Sequence, residues 1–178
     1  MTDLFDQVAE DRDPIKKIAA KIPGFKGYIE RQDRRAADKM LRELIAKKFI
    51  AHWKQIGVLQ QDLAGASELM FLDDLEKAAM KLQTFKDKIE NASYGYSGFF
   101  DAVKINEEEL NKLYEFDLAL LSTDEEIGHA IGNVETSIGT DGLEAAIRNL
   151  VTLSRGLVDQ YEKRDEVFLT YETNETEE

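Results

Sequence analysis

Four long stretches of the chain carry apolar residues at alternating intervals of three and four, and this spacing restricts the fold more than any other feature. It places the apolar side chains on one face of an α-helix, which must then be buried against other helices. The chain has two prolines, at positions 14 and 23, so no proline interrupts the stretches that follow. The sequence therefore predicts an all-α fold, an antiparallel four-helix bundle of two long helical hairpins preceded by short N-terminal helices.

The breaks between the stripes set the predicted boundaries. Gly65-Ala66-Ser67 separates the first two helices, with Ser67 as a candidate N-cap, and Asn106 caps the third. The predicted helices cover 29–63, 69–89, 107–138 and 143–168. The predicted organisation is short helices in 1–28, a bundle in 29–169 whose hairpins 29–92 and 106–169 are joined by 93–105, and an acidic tail in 170–178. The predicted core residues are Leu41, Phe49, Leu75, Leu82, Leu120, Ile131, Leu150 and Leu157, and Trp53 is assigned to the same core.

Composition excludes several classes of function. A chain of 178 residues without cysteine forms no disulfide, carries no thiolate nucleophile and holds no cysteine-ligated metal. A net charge of -13 disfavours nucleic acid as a partner, because the overall field repels phosphates. The N-terminus lacks the pattern of a secretory signal, and no apolar run is long enough to span a membrane, so the expected location is cytoplasmic.

The segment 14–28 is basic and amphipathic, which leaves two readings open. Ile15, Ile18 and Ile22 fall on one face, with lysines around them. Residues 14–54 hold twelve Lys or Arg against four acids, a net of +8. The segment either folds back over the bundle or docks on an anionic membrane surface.

A metal centre is the most specific catalytic reading, and the sequence argues against it. Glu126-Ile127-Gly128-His129 has the Glu-x-x-His spacing by which bundle helices bind di-iron centres. Such a centre needs a second Glu-x-x-His motif. The only other histidine is His52, and the residue three positions before it is Phe49, which is not an acid. Glu126 and His129 also flank the side away from the apolar stripe. We therefore predict no catalytic residues, no metal and no cofactor.

Glycines and aromatic residues crowd into 94–105 and 23–28, and an up-down bundle brings both segments to one end. The segment 93–105 is then an end loop, although it is long enough to be a crossover instead. The aromatic residues either plug this end or form a binding surface. The candidate interaction pole comprises Phe25, Tyr28, Arg34, Arg35, Tyr94, Tyr96, Phe99, Phe100, Asp101, Lys104 and Asp117.

Asp117 breaks the apolar stripe of the third helix between Leu113 and Leu120. A carboxylate that faces a core needs a partner. We predict a buried network of Asp117 with Arg34 or Arg35 and a tyrosine hydroxyl; the alternative is that the helix is rotated and Asp117 lies in water.

The blocks Lys21-Ile22-Pro23-Gly24 with Gly27-Tyr28, and Tyr94-Gly95-Tyr96 with Phe100-Asp101-Ala102-Val103-Lys104, resemble an uncharacterised group of bacterial all-helical proteins. The resemblance implies no activity. The sequence thus favours a non-enzymatic bundle that binds a protein partner or associates with itself. The alternatives are a peripheral membrane protein that docks through 14–28 and a small-ligand or enzymatic site at the glycine- and aromatic-rich pole.

Overall fold

The computed structural model describes residues 13–30, 34–92 and 107–175. Helices dominate this part of the chain, and it contains no strand, which confirms the all-α prediction. The helices are α1 (Pro14–Lys21), α2 (Phe25–Glu30), α3 (Arg34–Gly65), α4 (Leu72–Asn91), α5 (Glu107–Ser137) and α6 (Leu143–Glu175), with a 3-10 turn at Leu69–Phe71 before α4.

The four long helices pack in the order α3, α4, α6, α5 around the bundle, so α3 contacts α4 and α5, and α6 contacts the same two. Helix α4 runs antiparallel to α3, because Phe49 meets Phe85 while Gln60 meets Glu76. Helix α5 runs parallel to α3. The end of α4 and the start of α5 therefore lie at the same end of the bundle. The connecting segment 93–105 itself lies outside the described residues.

Helix ends agree with the sequence in part. The carboxylate of Asp13 caps α1 by accepting a hydrogen bond from the amide of Ile15 at 2.9 Å. Ser67 is not the predicted N-cap. It adopts a left-handed φ of 64° after α3, and the amide of Glu68 donates to the carbonyl of Leu63, as in a Schellman motif.

Helix α6 extends beyond the predicted boundary. It reaches Glu175, so most of the stretch assigned to an acidic tail from residue 170 is helical. Polarity suggested a tail there, but neither Gly nor Pro occurs between residue 157 and the end of the helix.

The core prediction is confirmed, because all eight residues named from the stripes are buried. An aromatic row crosses the core at mid-height. The ring centroids of Phe49 and Phe85 lie 4.6 Å apart, and those of Phe85 and Tyr161 lie 5.5 Å apart, both edge-on. This row joins α3, α4 and α6.

Helix α1 folds back onto the bundle and packs against α5. Ile18 and Ile22 are buried, and Lys21 pairs with Glu125. Gly24 has a φ of 88°, which allows the sharp bend between α1 and α2. The sequence left two interpretations of the segment 14–28 open. In the structure, its apolar face is covered by the bundle. Residues 1–12 of the predicted N-terminal helices lie outside the described residues.

Trp53 was assigned to the core and is instead 40% exposed. At about 100° per residue, Trp53 lies about 40° around α3 from Phe49, at the edge of the buried stripe. Phe49 and Ile56 remain buried, while the position between them turns outward beside α4.

Candidate functional site

Four charged side chains form a buried network at the end of the bundle where α3 begins. The guanidinium of Arg164 on α6 donates from Nε to Oδ1 of Asp117 at 2.7 Å and from Nη2 to Oδ1 of Asp38 at 2.7 Å. Arg42, one helical turn after Asp38, donates from Nε to Asp38 Oδ2 at 2.8 Å. Two aspartates and two arginines thus link α3, α5 and α6 with no net charge. We call this the buried quartet.

The buried quartet is closed to solvent. Arg164 and Asp117 are 0% exposed, Asp38 is 1% exposed and Arg42 is 7% exposed. Burial raises the pKa of the Asp117 carboxyl, and the charge and hydrogen bonds of Arg164 oppose that rise. A group without access to solvent cannot exchange protons with a substrate, so the arrangement is suited to holding three helices together.

The burial of Asp117 confirms one half of the prediction, and the other half needs correction. Its cationic partner is Arg164, not Arg35, which is exposed on α3. The side chains of Arg34 and Tyr28 lie outside the described part. Arg164 follows Tyr161 by three positions on the stripe of α6, so its inward position was visible in the sequence. Asp38 and Arg42, spaced by four, carried a similar signal.

The rest of the candidate pole is only partly described. Phe25 is buried, and its ring meets that of Tyr114 edge-on, with centroids 5.7 Å apart. It therefore plugs the bundle and is not a surface residue. The remaining members of the candidate pole, Tyr94, Tyr96, Phe99, Phe100, Asp101 and Lys104, lie outside the described residues.

A second polar layer lies one heptad further along α5. Asp124 is 5% exposed and accepts hydrogen bonds from Nζ of Lys48 at 2.6 Å and from His52 Nε2 at 2.7 Å. The other ring nitrogen of His52 contacts Gln55 at 3.0 Å. Gly128 makes room for the imidazole, because a Cβ there would lie 3.2 Å from its Cε1.

The two titratable groups of this layer shift in opposite directions. Burial, the largest influence, lowers the pKa of His52, but the hydrogen bonds that its ring makes to Asp124 and Gln55, and the charge of Asp124, together raise that pKa above the ordinary 6.5. For Asp124, burial acts in the opposite direction and raises the pKa. The hydrogen bonds and charges of His52 and Lys48 outweigh burial, so the pKa of Asp124 is lowered below 3.8. The layer therefore favours imidazolium beside carboxylate.

This pair makes stability depend on pH. Because the folded state raises the pKa of His52, the imidazolium stabilises the fold fully below its unfolded pKa, and this contribution is lost as pH rises through the folded value. We expect His52→Gln to lower the free energy of unfolding more at about pH 5.5 than at about pH 8.5, measured by urea denaturation. His129→Gln, at an exposed position, is the control. An equal cost at both pH values would contradict the assignment.

Three exposed apolar side chains lie together on the outer face of the α3–α4 hairpin. Trp53 is 40% exposed, Val58 is 55% exposed and Met80 is 59% exposed, and all three line a groove of about 340 Å³ between the two helices. A hydrogen bond of 2.9 Å from Gln60 to Glu76 spans it. We call this surface the α3–α4 groove. It was missed because Trp53 was assigned to the core.

Nearer the buried quartet, the surface of the α3–α4 hairpin is hollowed a second time. A second hollow of about 230 Å³ lies along the same pair of helices, and Ala46, Ile89 and Arg42 are part of its lining. Arg42 therefore touches both the buried quartet and this surface. Both hollows lie between two antiparallel helices, and grooves of this kind accept the apolar face of another helix.

The reading of residues 126–129 as half of a metal centre finds no support in the geometry. Glu126 and His129 are exposed on α5. In the part of the chain that the structure describes, no three His, Asp or Glu side chains cluster in a way that could hold a metal ion. Within the same ranges, no helix is both long and apolar enough to cross a membrane.

No protein-family model, no curated protein and no solved structure matches this chain. The geometry of the buried charges and of the α3–α4 groove is therefore the basis on which function can be argued.

Proposed function

We propose that the protein is a non-enzymatic helical bundle that binds a protein partner, and that the α3–α4 groove is its docking surface. The observation that carries this proposal is the exposure of Trp53, Val58 and Met80 around one groove. Large apolar and aromatic side chains at the centre of a surface are typical of protein interfaces. The charged clusters that could suggest catalysis are instead engaged in holding the helices together.

The occupant that fits the groove is an amphipathic helix of a protein. The depression runs between two antiparallel helices, and the chain itself shows such docking, since α1 lies on the bundle with its isoleucines inward. The charged residues at the two edges of the groove further define the helix that fits. Lys54 lies on the α3 edge and Glu76 on the α4 edge. The fitting helix carries an apolar stripe with acids on the side facing α3 and bases on the side facing α4.

Membrane docking through 14–28 is less well supported. Insertion into a bilayer requires exposed apolar residues, and Ile18, Ile22 and Phe25 are buried against the bundle. The exposed lysines of this segment would have to bind lipid by charge alone.

The proposal can be tested with a photo-crosslinking amino acid in place of Val58, in the full chain expressed in its native source. We expect a crosslinked protein whose attached peptide has apolar residues at helical spacing and charges on both flanks. Mass spectrometry of the adduct identifies the peptide. Met80→Asp in the same chain should abolish the adduct without unfolding the protein, because Met80 is exposed.

The matched control is the same crosslinker at Thr152, an exposed position on α6. Adducts from Val58 that are no more abundant than those from Thr152 would overturn the proposal. An attached peptide without the helical apolar pattern, or an adduct with lipid, would do the same.

A further inference from the structure

We infer that the partner that covers the α3–α4 groove is a second copy of this chain, whose own α3–α4 groove faces it. The inference rests on the proposed docking function and names the partner. It is based on the arrangement of charges on the two edges of the groove, which is complementary to itself.

The heights of residues along the groove follow from contacts across it. Gln60 is hydrogen-bonded to Glu76, and Phe49 packs on Phe85. Because α3 and α4 are antiparallel, a residue of α3 and a residue of α4 lie at the same height along the bundle when their numbers add up to about 135. Trp53 is then level with residues near Met80. Lys54 is level with about residue 81 of α4, so Glu76 lies about 7.5 Å away in height, at 1.5 Å rise per residue.

Consider a two-fold axis that lies in the interface and runs parallel to the helices. Rotation about this axis places α3 of one copy over α4 of the other, and it leaves the height of every residue along the bundle unchanged. The helices that meet are antiparallel. Trp53 then faces Met80 of the second copy, and Lys54 comes within reach of Glu76 of the second copy. A two-fold interface repeats every such contact, so both pairs form twice.

The net charge of the chain favours association of two copies through this face over association through other faces. At a net charge of -13, two copies repel each other over most of their surfaces. Of the charged residues that line the groove, the exposed Lys54 lies on the α3 edge and the exposed Glu76 lies on the α4 edge. An approach through this face therefore avoids the net repulsion and brings opposite charges together.

The test uses the purified full chain and its single tryptophan, Trp53. Light scattering should show the mass rising with concentration from 20.3 kDa toward twice that value. The emission maximum of Trp53 should shift to shorter wavelength over the same concentration range, because the dimer removes the indole from water. A chain that stays monomeric, or a dimer whose tryptophan emission is unchanged, would overturn the inference.

Exchanging the charges of Lys54 and Glu76 tests the orientation of the two copies in the dimer. Lys54→Glu and Glu76→Lys should each weaken the dimer about tenfold or more, since each replaces two attractive pairs by two repulsive ones. The double variant K54E/E76K restores opposite charges and should recover most of the affinity. Glu76→Lys also makes the chain less acidic, so an effect of net charge alone would strengthen that dimer. Failure of the double variant to recover affinity would reject this pairing.

Glu126→Lys, at an exposed position on α5, is the matched control, because it changes the net charge equally and should not weaken the dimer. Circular dichroism during thermal unfolding verifies that each variant folds. A monomeric chain whose Val58 crosslinks another protein overturns the second-copy inference and leaves the docking function standing. A chain with neither dimer nor preferential Val58 adduct overturns both.

Discussion

Asp117→Ala is expected to lower the free energy of unfolding by about 3–5 kcal/mol, because it removes one of the two acids that neutralise the buried quartet. Arg164 is then left to share Asp38 with Arg42, and the 0%-exposed site holds a net positive charge. Urea denaturation followed by circular dichroism measures the change.

Two companion variants separate a network effect from a general loss of a charge. Glu126→Ala removes an exposed acid from the same helix and should change stability by no more than about 0.5 kcal/mol. The double variant D117L/R164M replaces one ion pair by apolar groups, leaves Asp38 paired with Arg42, and should recover much of the loss. If Asp117→Ala costs as little as Glu126→Ala, the quartet does not stabilise the fold as described.

Phe85→Ala should also lower the free energy of unfolding by about 3–5 kcal/mol. Phe85 is fully buried between Phe49 and Tyr161, so the smaller side chain leaves a cavity where three helices meet. Chemical denaturation gives the value, and Phe85→Leu, which retains most of the volume, should cost only about 1 kcal/mol.

Met80→Ala is the control on the same helix, because that side chain is mostly exposed. It should leave stability nearly unchanged. A cost for Phe85→Ala close to that for Met80→Ala would mean that the aromatic row does not hold α3, α4 and α6 together.

The core could be predicted because burial repeats with the helical period, and that period can be read in a single sequence. Leu41, Leu82 and Leu150 lie in the middle of long stripes, where a small error in helix phase does not move a residue to the surface. Trp53 lies at the edge of its stripe, where the same error decides between core and groove. Its exposure could not be predicted from one helix, because it depends on which side α4 packs.

Of the buried charges, only Asp117 was predicted as a candidate, and its partner was not. Asp117 interrupts an apolar stripe, which favours an inward direction, but a rotation of its helix would place it in water. Its partner depends on which helices are neighbours in the bundle. Arg164 is 47 residues away in sequence, and only the packing of α6 against α5 selects it over the arginines at the start of α3.

The two polar layers of α5 have a consequence for the alignment of the helices. A helix with a seven-residue apolar repeat can slide past its neighbours by one heptad and still bury a similar stripe. Asp117 and Asp124 are one heptad apart, so such a slip would carry one aspartate into the place of the other. Asp117 is satisfied by an arginine of α6, whereas Asp124 is satisfied by a lysine and a histidine of α3. A slip by one heptad would fill only one of the two sites with an aspartate and would leave the cations of the other site without a counterion, so the two layers together select one alignment.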